Sequence, residues 1–81
     1  MVDDKGARPG ERGPLEGRYA NCFTIGHNSA EFVIDFGQCY TDSGVEQYHT
    51  RIITNPIYAK ALLETLIRAF DEYERSYGIV E

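Results

Sequence analysis

Three polar residues on two alternating stretches have types that could act together: Asp35, His49 and Arg51. Asp35 lies in Ala30-Glu31-Phe32-Val33-Ile34-Asp35-Phe36, and His49 and Arg51 lie in Gln47-Tyr48-His49-Thr50-Arg51-Ile52-Ile53-Thr54. Side chains two apart share a face of a strand, so Asp35 goes with Glu31 and Val33, and His49 goes with Arg51 and Ile53. If the two stretches pair, a carboxylate meets a guanidinium across the ladder, in a contact that can be bidentate. Such a pair commonly sets register or orients an assembly, and a structural ion pair is the expectation here. Its competitors are an anion site through Arg51, whose planar fork suits carboxylate and phosphate, and general-base chemistry by His49. The latter wants a nucleophile beside the imidazole, and the sequence places none there. Arg51, Asp35, His49 and Arg18 are therefore candidate binding residues. No catalytic residue is assigned, and the chain is read as non-enzymatic.

Metal chemistry would draw on Cys22, Cys39, His27 and His49. None fall at the short CxxC or HxxxH spacings that structural zinc favours, so no metal and no cofactor are expected. Cys22 reads as a small buried hydrophobe and Cys39 as a strand-end or loop thiol. Asp35-Phe36-Gly37 matches the kinase magnesium motif by letters alone, without the catalytic loop and lysine strand that motif requires. Aromatic residues are 12% of the chain, enough for a nucleic-acid stacking platform. Such a platform needs basic neighbours, and only Arg18 and Arg51 are basic among the strands.

The elements that must position these residues are legible from period. Tyr19 to Ile25 and Ala30 to Phe36 alternate around Gly26-His27-Asn28-Ser29, a turn built from residues that accept positive φ or bond the local backbone. Gly37 to Glu46 reads as a connection centred on Thr41-Asp42-Ser43-Gly44, and Gln47 to Thr54 as a third strand. Asn55-Pro56 ends that strand and starts a helix, with Thr54 or Asn55 as N-cap and Pro56 in the first turn. From Ile57 to Tyr77 the residues Ala59, Leu62, Leu63, Leu66, Ile67, Phe70 and Tyr73 recur at three- and four-residue steps, with charged residues opposite. Lys60–Glu64, Arg68–Glu72 and Asp71–Arg75 stand at i,i+4 spacing, and Gly78 is placed to stop the helix in the left-handed conformation. The expected fold is α+β, a three-stranded antiparallel β-meander followed by one long C-terminal helix (β-β-β-α). Residues 18–81 form the single domain and residues 1–17 a flexible Gly/Pro-rich tail.

Four motifs in this order carry a resemblance: Arg18-Tyr19-Ala20-Asn21, Glu31-Phe32-Val33-Ile34-Asp35-Phe36-Gly37, His49-Thr50-Arg51-Ile52-Ile53-Thr54, and Pro56 with Ala59-Lys60-Ala61-Leu62-Leu63. Over residues 18–78 the chain resembles a widespread group of short prokaryotic proteins catalogued as a domain of unknown function. The resemblance implies a β-β-β-α unit and brings no catalytic or binding residues.

The chain has 81 residues, with eight basic and 13 acidic residues for a net charge of −5. That acidity opposes a general nucleic-acid coat. No apolar run reaches membrane length, and Met1-Val2-Asp3-Asp4 does not read as a signal peptide, so a cytoplasmic protein without a membrane partner is expected. One helix over one face of three strands makes a marginal core at this size. The second face still shows Val33 and Ile53, and the helical stripe of Leu66, Ile67, Phe70 and Tyr73 is wider than one sheet needs. These six are the candidate interface residues of a homodimer or higher homo-oligomer. The expected function is a small oligomeric assembly or adaptor module that binds another protein through its sheet, helix or tail. The alternative is a dimeric nucleic-acid-associated regulator using Arg18, His27 and Arg51.

Overall fold

A computed structural model describes residues 15–81. It contains β1 (Cys22–His27), β2 (Phe32–Tyr40), β3 (Val45–Thr54) and α1 (Pro56–Tyr77), in that order. The strands form one antiparallel sheet with β2 in the centre, so the architecture is the β-β-β-α arrangement read from the sequence. Most of the proposed tail, residues 1–14, lies outside the described residues.

The first hairpin closes through Asn28, whose Oδ1 accepts from the backbone N–H groups of Ala30 and Glu31, both at 2.8 Å. The side chain thus does the work of a turn carbonyl. Cross-strand rows then follow from the register. One face aligns Ile25, Ile34 and Ile52, and beside them Phe23, Phe36 and Thr50; the other aligns Thr24, Asp35 and Arg51, and Gly26, Val33 and Ile53. Phe23 meets Phe36 edge to face, with centroids 5.7 Å apart, the arrangement that ring quadrupoles favour.

The second hairpin departs from expectation. Gly37 to Tyr40 and Val45 to Gln47 are strand, not connection, and only the residues between them turn, with Gly44 at φ 72°. A bulge interrupts the ladder without ending it. Phe36 aligns with Thr50 and Gly37 with Tyr48, which leaves His49 as the extra residue. Gly37 permits the close approach this needs: a Cβ there would stand 2.7 Å from the Gln47 carbonyl oxygen and 2.8 Å from the Tyr48 ring. At the other end β1 starts at Cys22 rather than Tyr19. Asn21 nevertheless continues the pairing with its side chain. Its Oδ1 accepts from Cys39 N at 2.7 Å and its Nδ2 donates to Cys39 O at 3.2 Å, as a backbone would.

Helix α1 begins as expected. Asn55 caps it by accepting from Tyr58 N at 2.8 Å, and Pro56 occupies the first turn. It ends at Gly78, whose N–H bonds Glu74 O at 3.0 Å with φ 98° and ψ 170°, a positive-φ stop with an extended ψ rather than the left-handed one. The i,i+4 ion pairs do not form. Arg68 donates to Thr65 Oγ1 and Arg75 to the Asp71 carbonyl instead. Although 22 residues long, α1 is not apolar enough to cross a membrane, and no other helix among the described residues is a candidate.

The expectation that α1 covers one sheet face is corrected. Extensive contacts between elements run only from strand to strand, and no residue of α1 is buried. Where the helix leaves the sheet, an open apolar groove of about 430 Å³ separates Ile25, Phe32 and Ile34 from Leu62, Leu63 and Leu66. Ile34, at 7% exposure, is the buried hydrophobic residue among those described. A single residue, Asn55, separates β3 from α1, and the two apolar surfaces face each other across a gap.

Candidate functional site

Register brings Asp35 and Arg51 together as opposite members of β2 and β3. Arg51 Nε donates to Asp35 Oδ1 and Nη2 to Oδ2, both at 2.8 Å, a fork-to-fork pair. The Arg51 side chain is 66% exposed and that of Asp35 17%, so the pair lies on the surface with the carboxylate tucked under the guanidinium. The hydrogen bonds from Arg51 hold the Asp35 carboxyl below its ordinary range, against an opposing effect of desolvation. Reciprocally, they raise the Arg51 pKa.

His49 does not join them. As the extra residue of the bulge it escapes the alternation that would align it with Arg51, which corrects the shared-face expectation. Its Nε2 stands 2.9 Å from the Tyr19 carbonyl and its Nδ1 2.7 Å from Thr50 Oγ1. A carbonyl only accepts, so Nε2 carries the proton and Nδ1 faces the hydroxyl. The Tyr19 contact, with Arg18 Nη1 donating to His49 O at 3.4 Å, straps the segment before β1 across to β3. Arg18 is itself held by Glu16, at 3.1 Å from Nε and 2.6 Å from Nη2.

Between strap and sheet lies an open hollow of about 610 Å³ whose walls include Glu16, Arg18, His49, Thr50 and Arg51. It contains the hydroxyl–imidazole contact that sequence reasoning missed, because adjacent residues in a regular strand point apart and only the bulge turns Thr50 and His49 toward each other. In chemical terms this is a hydroxyl beside a base. The nearby cations, Arg18 and Arg51, are each occupied by a carboxylate, so neither is free to stabilise a developing negative charge.

Farther along the sheet, on the face of the ion pair, Cys22 aligns with Gly37, and Cys39 follows two residues along β2. Hydrogen bonding to the Cys22 thiol, then burial and the charge of Glu46, push the Cys39 thiol up to about 11. Desolvation, with Glu46, also raises the Tyr48 phenol. Both thiols are half-buried and unpaired covalently, which fits the strand-end thiol expected for Cys39. Among the described residues, no group of three or more His, Cys, Asp or Glu could hold a metal ion.

The six candidate interface residues fall into two groups. Val33 and Ile53 stand side by side on the face of the ion pair, with Ile53 60% exposed. Leu66, Ile67, Phe70 and Tyr73 lie along α1, each about half exposed. Leu66 is shared between the sheet–helix groove and a second apolar hollow of about 320 Å³ bounded by Phe70, Tyr73 and Val80. The helical stripe is therefore one continuous uncovered surface.

A three-stranded meander with a detached C-terminal helix, an internally satisfied ion pair and no assembled metal cluster among the described residues defines a small α+β unit. The family model described as "Protein of unknown function (DUF3467)" matches residues 9–81, and the chain belongs to that family. No curated protein and no solved structure matches it.

Proposed function

We propose that this protein is a non-enzymatic assembly module, which completes its core by self-association and offers its remaining surface to another protein. The observation that carries this reading is the core itself: Ile34 alone among the described hydrophobic residues is buried, while the whole helical stripe is half exposed. Contiguous apolar surface on that scale marks an interaction site, and symmetric pairing of identical chains is the commonest way to cover it. The hydroxyl–imidazole contact does not favour an enzyme, since both neighbouring guanidiniums are already engaged. The same neutralisation weighs against the nucleic-acid regulator: Arg18 and Arg51, two of its three contact residues, face carboxylates rather than open solvent alone. Sedimentation equilibrium at micromolar concentration tests the reading. A dimer or larger species is expected, and a folded monomer would overturn it. In a salt titration against duplex DNA, no binding is expected; a steep fall of affinity with salt would favour the regulator instead.

A further inference from the structure

We infer that the groove between the sheet and α1 is filled by α1 of a second copy, the two helices running antiparallel about a two-fold axis near Leu66. This rests on the self-assembly reading above and names its partner surface.

Three observations lead there. First, the groove is walled on one side by sheet residues Ile25 and Ile34 and on the other by Leu62 and Leu66, so an occupant must be an apolar rod with two exposed flanks. A helix whose own stripe is uncovered has that form. Second, the areas match. The large side chains of the stripe from Leu62 to Tyr73, with Phe23, Ile25 and Ile52, each show about half their surface. At roughly 150–200 Å² per such side chain, the uncovered area is about 800 Å², close to what a standard interface takes from each partner.

Third, the charges select direction. With 3.6 residues per turn, Lys60, Asp71 and Glu74 lie on the same flank of the stripe as Ile67, and Glu72 lies on the other. Lys60 is six residues before Leu66, Asp71 five after it and Glu74 eight after it. A two-fold axis through Leu66 reverses level but keeps flank, so Lys60 falls between the levels of Asp71 and Glu74 on the opposing copy, and the reciprocal pair forms as well. A parallel pair would instead set Glu72 against Asp71 and Glu74 at equal level, acid facing acid. The same side chains thus favour the antiparallel arrangement and oppose the alternative.

The test is a charge swap read by sedimentation equilibrium on the full chain. Lys60→Glu and the double change Asp71→Lys/Glu74→Lys should each raise the dimer dissociation constant about three- to tenfold, the range of exposed ion pairs acting in two symmetric copies. Combining all three changes should return it to within about twofold of wild type. Glu74 Oε2 also accepts from the Val80 N–H at 3.1 Å just beyond α1, so Asp71→Lys alone, which leaves that bond in place, should shift the constant in the same direction, and circular dichroism should show each variant as helical as the parent. A dimer indifferent to both single-sided variants would overturn the helix pairing and leave self-assembly standing. A folded monomer would overturn both.

Discussion

The Asp35–Arg51 pair is the polar contact most open to measurement. Asp35 is the more enclosed member, so Arg51→Ala, which leaves a half-buried carboxylate without its donors, should lower the melting temperature more than Asp35→Ala does. The double variant should lower it by less than the sum, because the second change removes a group already without its partner; additive losses would show that the two side chains do not act together in solution. The pH dependence follows from the direction of the shift. A carboxyl held below its ordinary value binds its proton less readily in the folded state than in the unfolded one. Its contribution is therefore complete above about pH 4, the ordinary aspartate value, and is lost as pH falls through the lower folded value. Replacing Arg51 with Gln should move the titration midpoint of the Asp35 carboxyl, followed by NMR, upward toward that ordinary value. At the same scale, Cys39 holds its proton far above neutrality, with a pKa of about 11, and the thiolate is the nucleophile. Alkylation of Cys39 by iodoacetamide should be slow at pH 8 and rise steeply only toward pH 10 and above. Cys22→Ala, which removes the hydrogen bonding to the Cys39 thiol, should speed it.

At the scale of elements, the strands and helix were legible because their hydrophobic periods are unbroken: Phe32, Ile34 and Phe36 every second residue, Leu62, Leu66, Phe70 and Tyr73 at helical steps. Asn55-Pro56 announced the helix start by its chemistry, and the cap hydrogen bond forms as that chemistry requires. Gly37 marks where period failed. A glycine inside strand-like sequence signals a bulge or a close backbone approach, yet with Gly44 nearby it reads equally as the start of a loop. The bulge then moved His49 off the face of Arg51, so a single missed residue altered the candidate site. Asn21 had no comparable signal, since an amide side chain standing in for a strand backbone leaves no periodic trace. Gly37 supplies the element-scale prediction. A methyl group there meets the Gln47 carbonyl at 2.7 Å and the Tyr48 Cα at 2.9 Å, and backbone yields less readily than a side-chain tip. Gly37→Ala should destabilise by about 1–3 kcal/mol, the usual range for forced overpacking, as read by urea unfolding. Gly26, where an added Cβ meets nothing within 4 Å, provides the control: Gly26→Ala should change stability far less.

At the scale of the whole molecule, the same stripe that made α1 easy to recognise made its packing hard to foresee. A 3.6-residue apolar period says that a face is buried, and it is silent on which chain does the burying. The sequence reading supposed the sheet of the same chain, whereas the helix stands apart from it and no helical residue is buried. On the proposed self-assembly the chain would draw stability from association, and its melting temperature should then depend on concentration, since mass action favours the folded assembly as protein is added. A hundredfold dilution should lower the melting temperature by several degrees, while a self-sufficient monomer would melt at one temperature throughout. Leu66 lies at the centre of the exposed stripe, shared between both apolar hollows. Leu66→Glu puts an unpaired carboxylate into the contact, at a cost of several kcal/mol, comparable with the total stability of a small domain. The variant should therefore be monomeric and largely unfolded at micromolar concentration, or folded only at low pH where the new carboxyl is neutral. Glu64→Gln, on the polar side of the same helix, should keep the parent's concentration-dependent melting. A Leu66→Glu protein that melts like wild type at every concentration would mean that the stripe is never covered.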